Sequence, residues 1–135
     1  MVTTAPFEFR LDPRSGVPIY RQLMDQIQAG MASGYLSSGT QIPTVRQVAV
    51  DLAINPNTVL RAYRELEIRG VLETQQGTGT FISDRKVESD GPERERQLEQ
   101  LVSELVARAG AAGFTVKDVM DRLRERIPQP EKRTK

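Results

Sequence analysis

The sequence predicts a mainly α fold with a small β-hairpin, followed by a C-terminal helical hairpin. Three observations support this. Two short helical patterns, from Thr44 to about Ala53 and from Asn55 to Gly70, are joined by only a few residues. Two strand-like tetrapeptides, Val71–Thr74 and Gly79–Ile82, follow directly. After a polar stretch, two further apolar stripes recur at helical spacing. The expected organisation is a domain over residues 1–83, a linker over 84–92, a helical segment over 93–127 and a disordered tail over 128–135.

The N-terminal domain opens with Phe7-Glu8-Phe9-Arg10-Leu11, which alternates apolar and charged residues as a half-buried strand does. Such a strand could join the hairpin as its third member. Asp12-Pro13-Arg14-Ser15-Gly16 is turn chemistry. Pro18 then opens a helix to about Ser33. Ile19, Leu23, Ile27 and Met31 form its stripe, widened by Tyr20 and Met24, and Gly34 stops it. Tyr35–Gln41 reads as a loop anchored by Leu36 and Ile42.

Thr44-Val45-Arg46-Gln47 has the form of a capping box, and Val45, Val48, Ala49 and Leu52 give the next helix its buried face. In the stretch from Asn55 to Gly70, Asn55 can cap and Pro56 suits the first helical position, where a missing N–H costs nothing. Gly70 can close the helix in the left-handed conformation. Val59, Tyr63 and Leu66 face a core, and Asn57, Thr58, Arg61 and Arg64 lie away from that stripe. With Gln75–Thr78 as the turn of a hairpin, the order of elements is that of a winged helix-turn-helix.

In the C-terminal segment, Leu98, Leu101, Val102, Leu105 and Val106 form one stripe. Thr115 caps a last helix, with Asp118 at its third position, and Val116, Val119, Met120, Leu123 and Ile127 form the second stripe. Units below roughly 40 residues seldom bury enough surface to fold alone. These faces therefore call for a partner, and a second copy of the chain is the simplest one. The acidic residues Asp118, Asp121 and Glu125 fall on the exposed side of a short helix, so no metal site is expected there.

Composition narrows the function. No apolar run approaches a membrane span. The start, Met-Val-Thr-Thr-Ala-Pro, lacks the basic and apolar regions of a secretory signal, so a cytoplasmic protein is expected. There is no Cys and no His, which removes thiolate metal sites and the commonest general base. No enzyme and no cofactor is expected. Residues 1–83 carry seven Arg and seven Asp or Glu, and the first Lys is Lys86. A helix offering Asn, Thr and Arg from its first turns suits the major groove of DNA, where those side chains match base edges and phosphates. The balanced charge leaves a second reading open, a winged-helix protein-interaction module that does not bind DNA.

Four motifs then fall in order at familiar spacing: Pro18-Ile19-Tyr20-Arg21-Gln22-Leu23; Gln41-Ile42-Pro43-Thr44-Val45-Arg46; Asn55-Pro56-Asn57-Thr58-Val59 with Ala62-Tyr63-Arg64-Glu65-Leu66-Glu67; and Gly77-Thr78-Gly79-Thr80-Phe81. Together they resemble the GntR family of bacterial transcription regulators, and the short two-helix tail resembles the YtrA-type subgroup. The resemblance implies a homodimer that binds double-stranded operator DNA and acts as a repressor. It places DNA contacts at Thr44 and Arg46, at Asn57, Thr58, Arg61 and Arg64, and at the wing tip Gly77, Thr78 and Gly79. Relatives often carry a basic residue or His in the wing, whereas this chain has Gln75-Gln76-Gly77. Wing contacts here would then be hydrogen bonds or backbone approach. An apolar pocket at the tail interface could admit a small-molecule effector.

Overall fold

The ends of the helices follow from local chemistry. In the computed structural model, which describes residues 7–84 and 91–128, α1 spans Ile19–Ala32, α2 Val45–Leu52 and α3 Pro56–Ile68. Expectations for residues 1–6, 85–90 and 129–135 lie outside the described residues. Pro18 precedes α1, and its carbonyl accepts from Gln22 N at 3.0 Å. The capping box at α2 forms in both directions: Gln47 N donates to Thr44 Oγ1 at 3.1 Å, and Thr44 N donates to Gln47 Oε1 at 2.9 Å. At α3, Asn55 Oδ1 accepts from Asn57 N at 2.8 Å, and Pro56 takes the first turn.

The C-termini are equally specific. Gly70 has φ +77°, Gly70 N donates to Glu67 O at 3.0 Å, and Val71 N donates to Leu66 O at 2.8 Å. This is the paired-bond Schellman closure. The same closure ends α2, but its left-handed residue is Ala53 (φ 54°, ψ 47°), with Ala53 N on Val50 O and Ile54 N on Ala49 O. A Cβ in that conformation costs on the order of 1 kcal/mol.

Strands β2 (Leu72–Gln75) and β3 (Gly79–Ile82) form the expected hairpin, with Leu72 opposite Ile82 and Gln75 opposite Gly79. Val71 stays outside β2 because its N–H closes α3. Among the described residues the sheet has a third strand, β1 (Gln41–Ile42), which pairs antiparallel with β3 in the order β1-β3-β2.

The third strand is therefore not Phe7–Leu11, and Gln41 is strand rather than the end of a loop. The alternation at 7–11 is real, since Phe9 is buried and Glu8 and Arg10 are exposed. The hydrogen-bond partner of this extended segment is a helix, however. Gln26 Oε1 accepts from Arg10 N at 2.8 Å, and Gln26 Nε2 donates to Arg10 O at 2.6 Å. One turn earlier, Gln22 Oε1 accepts from Asp12 N at 2.8 Å, and Gln22 Nε2 donates to Asp12 O at 2.9 Å. A primary amide carries the same donor and acceptor as a peptide. Two Gln at i, i+4 on α1 thus stand in for a neighbouring strand at alternate residues of the segment.

The core joins Leu23, Met24 and Ile27 of α1 to Val48, Val59, Tyr63, Leu66, Ile42, Leu72 and Ile82. Met31, expected in the α1 stripe, is 37% exposed. Leu36 returns onto Gly30 instead, donating its N–H to Gly30 O at 3.1 Å, and a Cβ on Gly30 would stand 2.9 Å from Leu36 Cδ1.

The chain divides into two compact units, Met1–Arg85 and Lys86–Lys135. In the second, α4 spans Pro92–Ala111 and α5 spans Val116–Glu125. Helix α4 begins at Pro92, as its sequence suggests, and α5 ends short of Ile127. Gly113 (φ +88°) closes α4. Thr115 and Asp118 form a second capping box, and the backbone N–H of Thr115 holds the Asp118 carboxyl below its ordinary range. Helices α4 and α5 pack together, yet neither contains a buried residue.

Candidate nucleic-acid interface

The first turns of α2 and α3 set the polar side chains. Arg46 is the second helical residue of α2 and is exposed. On α3, Asn57, Arg61 and Arg64 follow i, i+4, i+7 spacing and all three are exposed. Thr58 is half-buried beside them. The cap is supplied by Asn55, so Asn57 contributes its backbone N–H there and its side-chain amide is not the capping group.

The electrostatics of this face are local. Of the carboxylates near Arg64 on α3, Glu65 pairs with Arg69 at 3.5 Å, and Glu67 accepts from Thr74 Oγ1 at 2.7 Å. Among the described residues, no ion pair involves Arg46, Arg61 or Arg64. The Arg61 guanidinium lies over the Tyr20 ring of α1, 3.8 Å from its centroid.

Tyr63 faces inward as expected. It is 1% exposed, burial holds its phenol well above the ordinary range, and its hydroxyl donates to Pro43 O at 2.5 Å. That bond ties α3 to the residue before the Thr44 cap.

The wing tip is Gln76-Gly77-Thr78, closed by Thr78 N on Gln75 O at 3.0 Å with Gly77 at φ +78°. Gly79 and Thr80 already belong to β3, so Gln76-Gly77-Thr78 is a plain hairpin turn. Sequence reasoning missed Gln41. From β1 its Nε2 donates to Thr78 O at 3.1 Å, and its side chain occupies the space where Gly79 would carry a Cβ. The signal was present in the Gln41-Ile42-Pro43 motif, but a two-residue strand has no readable period.

The three expected contact sets are thus connected through one short segment. Gln41 holds the wing, Ile42 enters the core, Pro43 accepts from Tyr63, and Thr44 caps α2.

In the second unit, Leu98, Leu101, Val102, Leu105, Val106, Val116, Met120 and Leu123 are all exposed, from 63% at Leu101 to 37% at Val106, and Val119 is half-buried. The acidic residues of α5 are engaged at its surface: Asp118 in the cap, Asp121 with Lys117 and Arg124 at 3.3 Å each, and Glu125 with Arg122 at 3.8 Å. Among the described residues no helix is long and apolar enough to cross a membrane.

Known proteins share these features. The family described as "Bacterial regulatory proteins, gntR family" matches residues 19–82. The HTH-type transcriptional repressor YtrA of Bacillus subtilis is 33% identical over 116 residues, covering 86% of this chain and 89% of YtrA. A solved transcriptional antiterminator from Listeria monocytogenes EGD-e aligns with 96% of this chain and 100% of its own, at a TM-score of 0.68 and 26% identity. The DNA-binding domain of AraR, solved in complex with operator ORX1, aligns with 59% of this chain and 100% of its own, at a TM-score of 0.50 and 25% identity. Helix-turn-helix, wing and short helical tail are matched together, and this chain belongs to the GntR family of bacterial transcription regulators, with the two-helix tail of its YtrA-type members.

Proposed function

We propose that this chain is a cytoplasmic, sequence-specific repressor that binds an inverted-repeat operator as a homodimer. The observation that carries this reading is the single exposed face of Asn57, Arg61 and Arg64 on a capped helix, with no carboxylate paired to either Arg among the described residues. Arg forks and an Asn amide are the groups that meet guanine, adenine and phosphate in the major groove. Arg46 and Thr44 at the start of α2 supply a backbone contact, and the wing offers Gly77, Thr78 and Gly79 without added charge.

The homodimer rests on the tail. Two helices whose apolar stripes remain exposed in one chain gain most by meeting a second copy. The groove between α4 and α5, of about 620 Å³ and lined by Leu105, Phe114, Val119 and Leu123 among others, receives partner side chains in this reading. Residues 84–92 act as the linker. Two recognition helices related by a two-fold axis then read half-sites about one helical turn apart.

Selection of bound duplexes from a randomised library tests the proposal. An inverted repeat is expected, with affinity that falls steeply with salt. Arg46→Ala should weaken binding about equally across sequences and reduce the salt slope by about 1. Leu105→Asp in the full chain should yield a monomer by sedimentation, with weaker binding. Failure to enrich any duplex would favour the protein-interaction reading, and a dimeric Leu105→Asp variant would remove the tail from dimerisation.

A further inference from the structure

We infer that Tyr20 is a positioning residue for DNA reading: its ring holds the Arg61 guanidinium in the plane and place from which Arg61 contacts the duplex. The inference rests on the proposed DNA contact of Arg61 and adds to it a residue from a different helix. Tyr20 lies in the first turn of α1, is half-buried, and presents its ring face to Arg61 at 3.8 Å.

Arg61 occupies the middle of the polar face of α3, one turn after Asn57 and three residues before Arg64. An exposed Arg on a helix samples many rotamers, and a bidentate contact requires that they collapse to one. Stacking on an aromatic face restricts the side chain before DNA arrives. It also leaves the chemistry of the fork available, because a neutral ring beneath the guanidinium cancels none of its charge and five N–H donors are more than one ring face can engage. An ion pair would have oriented Arg61 too, but it would have consumed those donors and offset the charge. Among the described residues Arg61 has no such pair. An uncharged aromatic support therefore preorganises Arg61 without competing with a phosphate or a guanine edge.

A packing role for the stack predicts something different. If Tyr20 only held α1 to α3, its loss would act through stability and would be indifferent to whether residue 61 is Arg. A double-mutant cycle separates the two. The probe is the duplex that the wild-type chain selects from a randomised library, with a scrambled duplex as control. Binding is measured by fluorescence anisotropy for wild type, Tyr20→Leu, Tyr20→Phe, Arg61→Ala and the Tyr20→Leu/Arg61→Ala pair. Thermal unfolding establishes that each is folded.

Tyr20→Leu should weaken binding to the selected duplex about three- to tenfold, and Tyr20→Phe, which keeps the ring, should stay within about twofold of wild type. In the Arg61→Ala background, Tyr20→Leu should have no further effect. Without DNA, the Arg61 side-chain protons should show an upfield ring-current shift in wild type and Tyr20→Phe that Tyr20→Leu loses. Equal losses in both backgrounds, or a Tyr20→Phe variant as weak as Tyr20→Leu, would overturn the positioning role. An Arg61→Ala variant that binds like wild type would overturn it while leaving DNA binding intact. Selection that enriches no duplex would overturn both.

Discussion

Replacing Tyr63 by Phe removes one oxygen from the junction of the two helix-turn-helix helices. The phenyl body stays in the core, so the apolar burial of a side chain that is 1% exposed is retained. What disappears is the hydrogen bond from the hydroxyl to Pro43 O at 2.5 Å. A bond of this kind contributes about 1 kcal/mol net, and leaving its buried acceptor without a partner costs about 1–3 kcal/mol. Pro43 is half-buried, so water reaches its carbonyl in part. Together these give a loss of about 1–2 kcal/mol, which in a unit of this size lowers Tm by roughly 4–16 °C. Urea unfolding followed by circular dichroism measures the first quantity at constant slope with denaturant. Operator binding well below Tm measures the second consequence. A protein that loses this much from a typical stability remains almost wholly folded. Any fall in affinity therefore reports the changed setting of Thr44 and Arg46 against α3. A stability change under about 0.3 kcal/mol would refute the energetic reasoning. The calculated loss of stability with unchanged affinity would refute the claim that this bond aligns α2 with α3.

Two further outcomes follow from backbone geometry. Ala53→Gly should raise stability by about 1 kcal/mol, because Ala53 holds the left-handed position of a helix closure where glycine has no Cβ to accommodate; an unchanged or lower urea midpoint would contradict the φ of 54°. Gln22→Leu should cost about 1–3 kcal/mol and release the Asp12 amide to rapid hydrogen exchange, since Gln22 also donates to Ser15 Oγ at 3.0 Å and Val17 O at 2.9 Å; continued protection of that amide would mean that another group holds the segment.

Helices were legible in this sequence because their ends carry local chemistry. Asn55-Pro56 and the Thr44-to-Gln47 box state where α3 and α2 begin, and Gly70 states where α3 ends, without reference to distant residues. The hairpin was legible for the same reason. The third strand was not. Phe7–Leu11 has the period of a strand and Gln41–Ile42 has almost none, so periodicity pointed to the wrong segment. The choice was decided by nonlocal groups, the Gln22 and Gln26 amides, which satisfy residues 10 and 12 from a helix. Within the candidate site, residue types on α3 could be read directly. The groups that position them could not, because Tyr63–Pro43, Gln41–Thr78 and Arg61–Tyr20 each join residues from different elements.

The balanced charge of residues 1–83 looks at first like an argument against DNA binding. The relevant quantity is how the charges are paired rather than how many there are. Arg69 is offset by Glu65, whereas Arg46, Arg61 and Arg64 face no carboxylate in an ion pair among the described residues. Arg61 and Arg64 share the exposed face of α3 that carries Asn57, so their charge is available there. If each of these three Arg neutralises one phosphate, a single domain gives a slope of log K against log salt of about −3, and a homodimer gives about −5. The difference counts the phosphates that the proposed second copy would add. If the proposed homodimer forms through Leu98–Leu123, the salt slope of a monomeric Leu105→Asp variant should fall by about half, and an unchanged slope would refute that role of the tail.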